Sequence, residues 1–133
     1  MNYEILDKMD AEIVSVIEGD DLELIDFALM KGDIIIDAIF GTGFKGTATG
    51  FVGEVIKRIN DCQGIVISAD LPSGMEADTG HVNGHCIKAD YTLTFGLPKV
   101  GLYLEPGTSF CGEIEVVEIS LPLELISSEE LNM

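Results

Sequence analysis

Basic residues are the scarcest chemical class in this chain. Seven Lys and Arg stand against 24 Asp and Glu in 133 residues, a formal net charge of −17. Nucleic-acid binding needs cations to neutralise phosphates, so no nucleic acid is expected as a partner. No anionic membrane surface is expected either, for the same reason. The acidity itself reads as solubility or as an acidic, salt-adapted proteome. Any dinucleotide bound here has to be met by backbone amides, a helix N-terminus and one or two local lysines. Tryptophan is absent. Cys62, Cys86 and Cys111 are odd in number, widely spaced and without a CxxC pair, so neither a disulfide framework nor a zinc site is suggested. No apolar run reaches the roughly 18–20 residues of a membrane span, and no basic stretch precedes a hydrophobic one as in a secretory signal. The expectation is a soluble, cytoplasmic protein.

What remains is a chain with 47% apolar residues, long enough for one domain. Tyr3, Ile5, Leu6 and Met9 recur at helical spacing, and Glu12 to Ile17 alternates like a short strand. Gly19-Asp20 punctuates. Asp20 or Asp21 can cap a helix running to about Met30, and Gly32 stands where a C′ glycine ends one. Ile34 to Ile39 is a continuous apolar strand, the pattern of one buried on both faces. Residues Gly41 to Gly50 read as a loop, Phe51 to Asn60 as a helix, and Ile65 to Ala69 as the next strand. This alternation is the βαβ grammar of a parallel sheet, hence an α/β fold. Met75 to Asp90 is turn-rich and reads as an excursion across a crevice rim. Tyr91 to Phe95 is a strand, Gly96 to Gly107 a loop, Glu113 to Ile119 an edge strand, and Leu121 to Met133 a tail of mixed character.

Chemistry concentrates where the strands end. Ligands of open parallel sheets sit beyond the carboxyl ends of the strands, and two apolar runs each close there on an aspartate. Asp70 precedes Leu71-Pro72-Ser73-Gly74. It can act as a general acid or base, or simply cap the turn through its own backbone. Asp37 interrupts an apolar strand, which is costly unless it binds a cation or accepts backbone N–H bonds. Gly41-Thr42-Gly43-Phe44-Lys45-Gly46-Thr47 has the make-up of a phosphate cradle, with exposed amides, two hydroxyls and one cation. It is neither a Walker A sequence nor GxGxxG, and an ordinary connection fits it as well. Lys99 follows another strand and reads as a solvated loop lysine that could also reach the crevice. His81 and His85 read as surface residues.

Five stretches together resemble the N-terminal domain of the YjeF family, the NAD(P)H-hydrate epimerases. They are residues 37–43, 70–74, Asp78-Thr79-Gly80, Ala89-Asp90 and Thr94-Phe95-Gly96-Leu97-Pro98-Lys99-Val100-Gly101, in family order. The resemblance implies a three-layer α/β/α Rossmann-like fold with a mostly parallel sheet. It implies an activity: equilibrating the R and S epimers of hydrated NADH and NADPH, a metabolite repair. It assigns Gly41, Thr42, Gly43, Phe44, Lys45, Gly46 and Thr47 to the nucleotide, and Asp70 to the substrate as acid/base. Asp37 and Ser73 match positions that help bind a potassium ion. A homo-oligomer such as a dimer is implied, as is fusion or pairing with an ADP/ATP-dependent dehydratase domain. One departure stands out: the family's first strand ends in a Gly-Asn-Asn-Gly-Gly-Asp loop, and nothing like it occurs here. The expectation is therefore a partial domain over residues 1–122 with a tail at 123–133, inactive or poorly active on its own. A non-catalytic nucleotide- or protein-binding module of the same fold is the alternative.

Overall fold

β-branched runs set the frame. A computed structural model describes residues 2–17 and 21–127. In it Ile34–Asp37 (β1), Ile65–Ala69 (β2), Tyr91–Phe95 (β3) and Glu113–Val117 (β4) form one sheet in that order, with every pairing parallel. The helices are Asn2–Lys8 (α1), Leu22–Lys31 (α2), Gly50–Asn60 (α3) and Leu123–Ile126 (α4). Parallel neighbours require a long crossover. Between β1 and β2 that crossover is α3. Between β2 and β3 it is the turn-rich excursion, with no helix of its own. The α/β architecture is the one expected from the alternation, and all carboxyl ends gather along one edge.

Strand pleating decides which side chains meet. The register Ile35↔Val66, Asp37↔Ser68 and Ser68↔Thr92 places these residues and Thr94 on one face. On that side Val66 packs with Ala48, Ile56, Ile59 and Ile87, a cluster fed by the apolar stripe of α3. A second cluster joins Leu71, Met75, Ala77 and Cys86 of the excursion to Leu102 and Cys111. The excursion is thus part of the core, since Met75 and Ile87 have no exposed surface. The opposite face carries Ile34, Ile36, Ile65, Tyr91 and Phe95, which stay 39–69% exposed.

Several local expectations need correction. Residues 12–17 form no strand: a strand needs a neighbour, and among the described residues none pairs with the outer edge of β1. β1 ends at Asp37 and is not buried on both faces, because Ile34 and Ile36 meet no covering layer among the described residues. Gly32 does end α2, but with φ of −80°, so no left-handed cap is used. Asp21 makes no side-chain cap; its Oδ2 accepts instead from the Ile17 N–H at 3.0 Å. A single-turn 3₁₀ helix, Val100–Tyr103, lies within the stretch read as loop, and a second, Gly107–Phe110, begins at its last residue. The Gly19-Asp20 turn and residues 128–133 lie outside the described residues.

Candidate functional site

At the end of β1, Asp37 is 1% exposed. A buried carboxylate is tolerable only if its oxygens are satisfied, and four donors do this. Oδ1 accepts from Ser73 Oγ at 2.5 Å and from the Ile39 N–H at 3.3 Å. Oδ2 accepts from Ser68 Oγ at 2.8 Å and from the Ser73 N–H at 2.9 Å. Ser73 Oγ in turn accepts from the Phe40 N–H at 2.9 Å. One carboxylate thereby ties β1 to β2, to the turn after β2 and to the start of the glycine loop. Gly74 permits that turn: its φ is +105°, and a Cβ would lie 2.2 Å from the His85 carbonyl oxygen.

The end of β2 is built differently. Asp70 has φ of +75°, a left-handed conformation that non-glycine residues rarely adopt. Its N–H donates to the Leu93 carbonyl at 2.8 Å, so the strained residue is anchored to β3. Its side chain, 22% exposed, ion-pairs with Lys99. Oδ1 also accepts from Thr94 Oγ1 at 3.3 Å and from the Phe95 N–H at 3.2 Å. Asp70 is thus more than a cap of its own turn, because its partners come from β3 and the loop beyond it.

The glycine loop, residues 41–47, leaves the end of β1 and is exposed except at half-buried Phe44. The Phe40 and Phe44 rings stack with centroids 4.5 Å apart, and the Phe44 N–H donates to the Gly41 carbonyl at 3.1 Å. A Cβ at Gly41 or Gly43 would meet nothing within 4 Å, and neither residue has a left-handed φ. Neither packing nor backbone conformation therefore requires glycine at these two positions. Small residues there leave room for something beyond the chain to approach the backbone. The Gly46 N–H is already engaged, donating to Glu76 Oε1 at 3.4 Å. Lys45 and both threonines are exposed.

Carboxylate and hydroxyls are the right donors for a hard cation. At Asp37, however, each oxygen already accepts two hydrogen bonds, so the buried charge is accounted for without an ion. As folded, all four hydrogen bonds to Asp37 come from within the protein. Among the described residues no group of three or more His, Cys, Asp or Glu could hold a metal. His81 and His85 are exposed. Burial pushes the Cys86 thiol up to about 12, aided by Asp37 and Cys111; burial likewise raises Cys111 to about 11, with Glu105 adding to the effect and the Thr92 hydrogen bond opposing it. Both thiols are inert core residues.

Three residues gained standing from the fold. Lys99, read as a solvated loop lysine, is the ion-pair partner of Asp70. Ser68 and Thr94 supply hydroxyls to the two aspartates. Their signal was small hydroxylic residues at alternating positions of apolar strands, placed on the covered face. One surface hollow among the described residues lies away from all of this, between α2 and α3, where Arg58 is held by both Asp26 oxygens at 3.2 Å.

Comparison with known proteins matches residues 1–101 to the family model described as YjeF-related protein N-terminus. The bifunctional NAD(P)H-hydrate repair enzyme Nnr of Moorella thermoacetica is 45% identical over 131 residues, covering 98% of this chain and 25% of that protein. The NAD(P)H-hydrate epimerase of Rhodopirellula baltica is 42% identical over 94 residues, 71% of this chain and 38% of that protein. The NAD(P)H-hydrate epimerase of Limosilactobacillus fermentum is 43% identical over 94 residues, 70% of this chain and 45% of that protein. The chain thus spans less than half the length of these relatives. No helix among the described residues is long and apolar enough to cross a membrane.

Proposed function

Because the chain belongs to the family of YjeF-related protein N-termini, we propose that it contributes to the epimerisation of hydrated NADH and NADPH. The observation that carries this reading is the pairing of an acid/base candidate with an open cradle at adjoining strand ends. Asp70 is held at the end of β2, and the glycine loop beside it keeps unfilled space at Gly41 and Gly43. Inverting a hydrated ring carbon needs proton transfer at the hydroxyl or at the ring nitrogen. One carboxyl group can give that proton and its carboxylate can take it back, so a single residue closes the cycle. Residues 41–47 would meet the nucleotide through exposed amides, with Thr42, Thr47 and Lys45 toward the phosphates.

Potassium belongs to this reading, with Asp37 and Ser73 as the residues that would hold it. An ion there has to displace hydrogen bonds that are now made inside the protein. The reading further includes a homodimer, a cytoplasmic location and fusion or pairing with an ADP/ATP-dependent dehydratase. A second reading, a non-catalytic binding module, draws support from the uncovered apolar face of the sheet.

The test is chromatographic. Pure R-form NADPH hydrate is supplied at high protein concentration, and its conversion to S is followed against the spontaneous rate. We expect at most a slow acceleration by the wild type, its disappearance in Asp70→Ala, and a faster rate with potassium than with sodium. Equal rates for wild type and Asp70→Ala would end the assignment of Asp70.

A further inference from the structure

The partners of Asp70 are unevenly divided between its two oxygens. Oδ1 accepts from Thr94 Oγ1, from the Phe95 N–H and from Lys99 Nζ. Oδ2 accepts from none of the described residues, and it is not among the buried atoms left without a partner. It therefore keeps surface accessible to solvent. Lys99 shows the complementary pattern. An ammonium group has three N–H bonds, and all three are engaged: one to Asp70 Oδ1, one to Thr94 Oγ1 at 3.2 Å and one to the Phe95 carbonyl at 3.0 Å. Nothing is left on Nζ to offer a ligand. Thr94, with no exposed surface, links the two by donating to Oδ1 and accepting from Nζ.

We propose that Lys99 is a positioning residue: it clamps Asp70 through Oδ1, and Oδ2 is the oxygen that gives and takes the proton. The clamp follows from hydrogen bonds within the chain. Its consequence for rate rests on the epimerase reading above. The arrangement answers a specific mechanical need. Asp70 sits on a left-handed backbone, a conformation a non-glycine residue keeps only when its surroundings hold it. Three donors converging on one oxygen fix the carboxylate plane and aim the other oxygen outward. Proton transfer is sensitive to such aim, because donor and acceptor must meet at hydrogen-bond distance.

The experiment has two readouts on Lys99→Met and Lys99→Arg, with thermal melts to confirm folding and Lys99→Gln as the substitute should Lys99→Met not fold. The first is amide hydrogen exchange at Phe95, whose N–H donates to Oδ1. Without the clamp its exchange should speed up about 10-fold or more. The Asp70 N–H, which donates to the Leu93 carbonyl, should keep its protection as the internal reference. Lys99→Arg should restore most of the Phe95 protection. The second readout is epimerisation kinetics: kcat should fall about 10- to 100-fold in Lys99→Met with KM within about threefold, and Lys99→Arg should recover part of the loss. Unchanged Phe95 exchange in Lys99→Met overturns the clamp. A raised KM with unchanged kcat makes Lys99 a substrate contact and overturns the positioning role. The expected exchange pattern in a chain that never accelerates epimerisation supports the clamp and leaves the chain as the inactive partial domain or the non-catalytic module.

Discussion

The neighbouring strands β1 and β2 each lead to an aspartate, Asp37 as the last residue of β1 and Asp70 directly after β2, and the surroundings of the two could hardly differ more. Around Asp37 the protein closes: two serines and two backbone amides fill both oxygens, and the residue is 1% exposed. Around Asp70 it stays half open, with every partner on one oxygen and the glycine loop uncrowded beside it. A carboxylate whose lone pairs are all engaged organises structure, because moving it breaks several bonds at once. One that keeps a lone pair facing solvent can exchange a proton without disturbing the fold. On the proposed function, the same residue type at the ends of adjacent strands divides into scaffold and reagent.

The strongest way to break this contrast is to truncate each aspartate and measure stability. Asp37→Ala leaves Ser68, Ser73 and two strand-end amides without their acceptor in a buried place. A buried donor left without its acceptor costs about 1–3 kcal/mol, so the loss is expected to reach several kcal/mol, a large share of the roughly 5–15 kcal/mol that holds an ordinary domain together. Asp70→Ala loses bonds at a partly exposed site and keeps a left-handed backbone without glycine, for about 1–2 kcal/mol. Urea titrations of the two variants decide the matter. Similar midpoints would show that the two ends are equally structural and that the division is false.

How far this was readable in the sequence depends on whether a signal was local. Ile65–Ala69 and Tyr91–Phe95 are strands at the bounds that their β-branched and apolar runs suggest, since those propensities are properties of the segment itself. Asp37, Asp70 and the glycine loop were visible as interruptions of apolar pattern. The exposure of Ile36 was not, because burial of a strand face depends on which layer lies over it. Residues 12–17 alternate like a strand yet have no partner, and alternation cannot supply one. Lys99 was hidden most thoroughly: its role depends on Asp70, 29 positions away, and on the Thr94 hydroxyl.

Alkaline pH tests the closed end from another direction. Cys86 lies in the core near Asp37 and holds its proton up to about 12, against an ordinary thiol at 9.0; Cys111 holds its own to about 11. In the unfolded chain both thiols ionise from about pH 9. Above that point the unfolded state has released protons that the folded state retains, so stability falls as pH rises. Below it these groups contribute no pH dependence. Each thiol contributes a slope of about 1.4 kcal/mol per pH unit between roughly pH 9 and 11. Urea midpoints at pH 8, 9 and 10 should decline only beyond 9, and Cys86→Ala should remove about half of the thiol share. A profile unchanged by Cys86→Ala would mean that the core around Asp37 admits water.

The smallest effect on stability is expected in the open region, where it is the most informative. A methyl group at Gly43 meets nothing within 4 Å, and no left-handed φ forbids it. Gly43→Ala should therefore leave the melting behaviour within about 0.5 kcal/mol of wild type, and reduced freedom of the unfolded chain works slightly in its favour. Gly46, at φ of +113°, is the control: alanine there should cost about 1 kcal/mol through backbone strain alone. Binding then reads in the opposite order to stability. If residues 41–47 present their amides to a dinucleotide, the Gly43 methyl occupies the approach, and affinity for NADPH hydrate by calorimetry should fall about threefold or more. A Gly43→Ala variant with unchanged stability and unchanged affinity would leave the loop as a plain connection, and the open end of the site would reduce to Asp70 and its clamp.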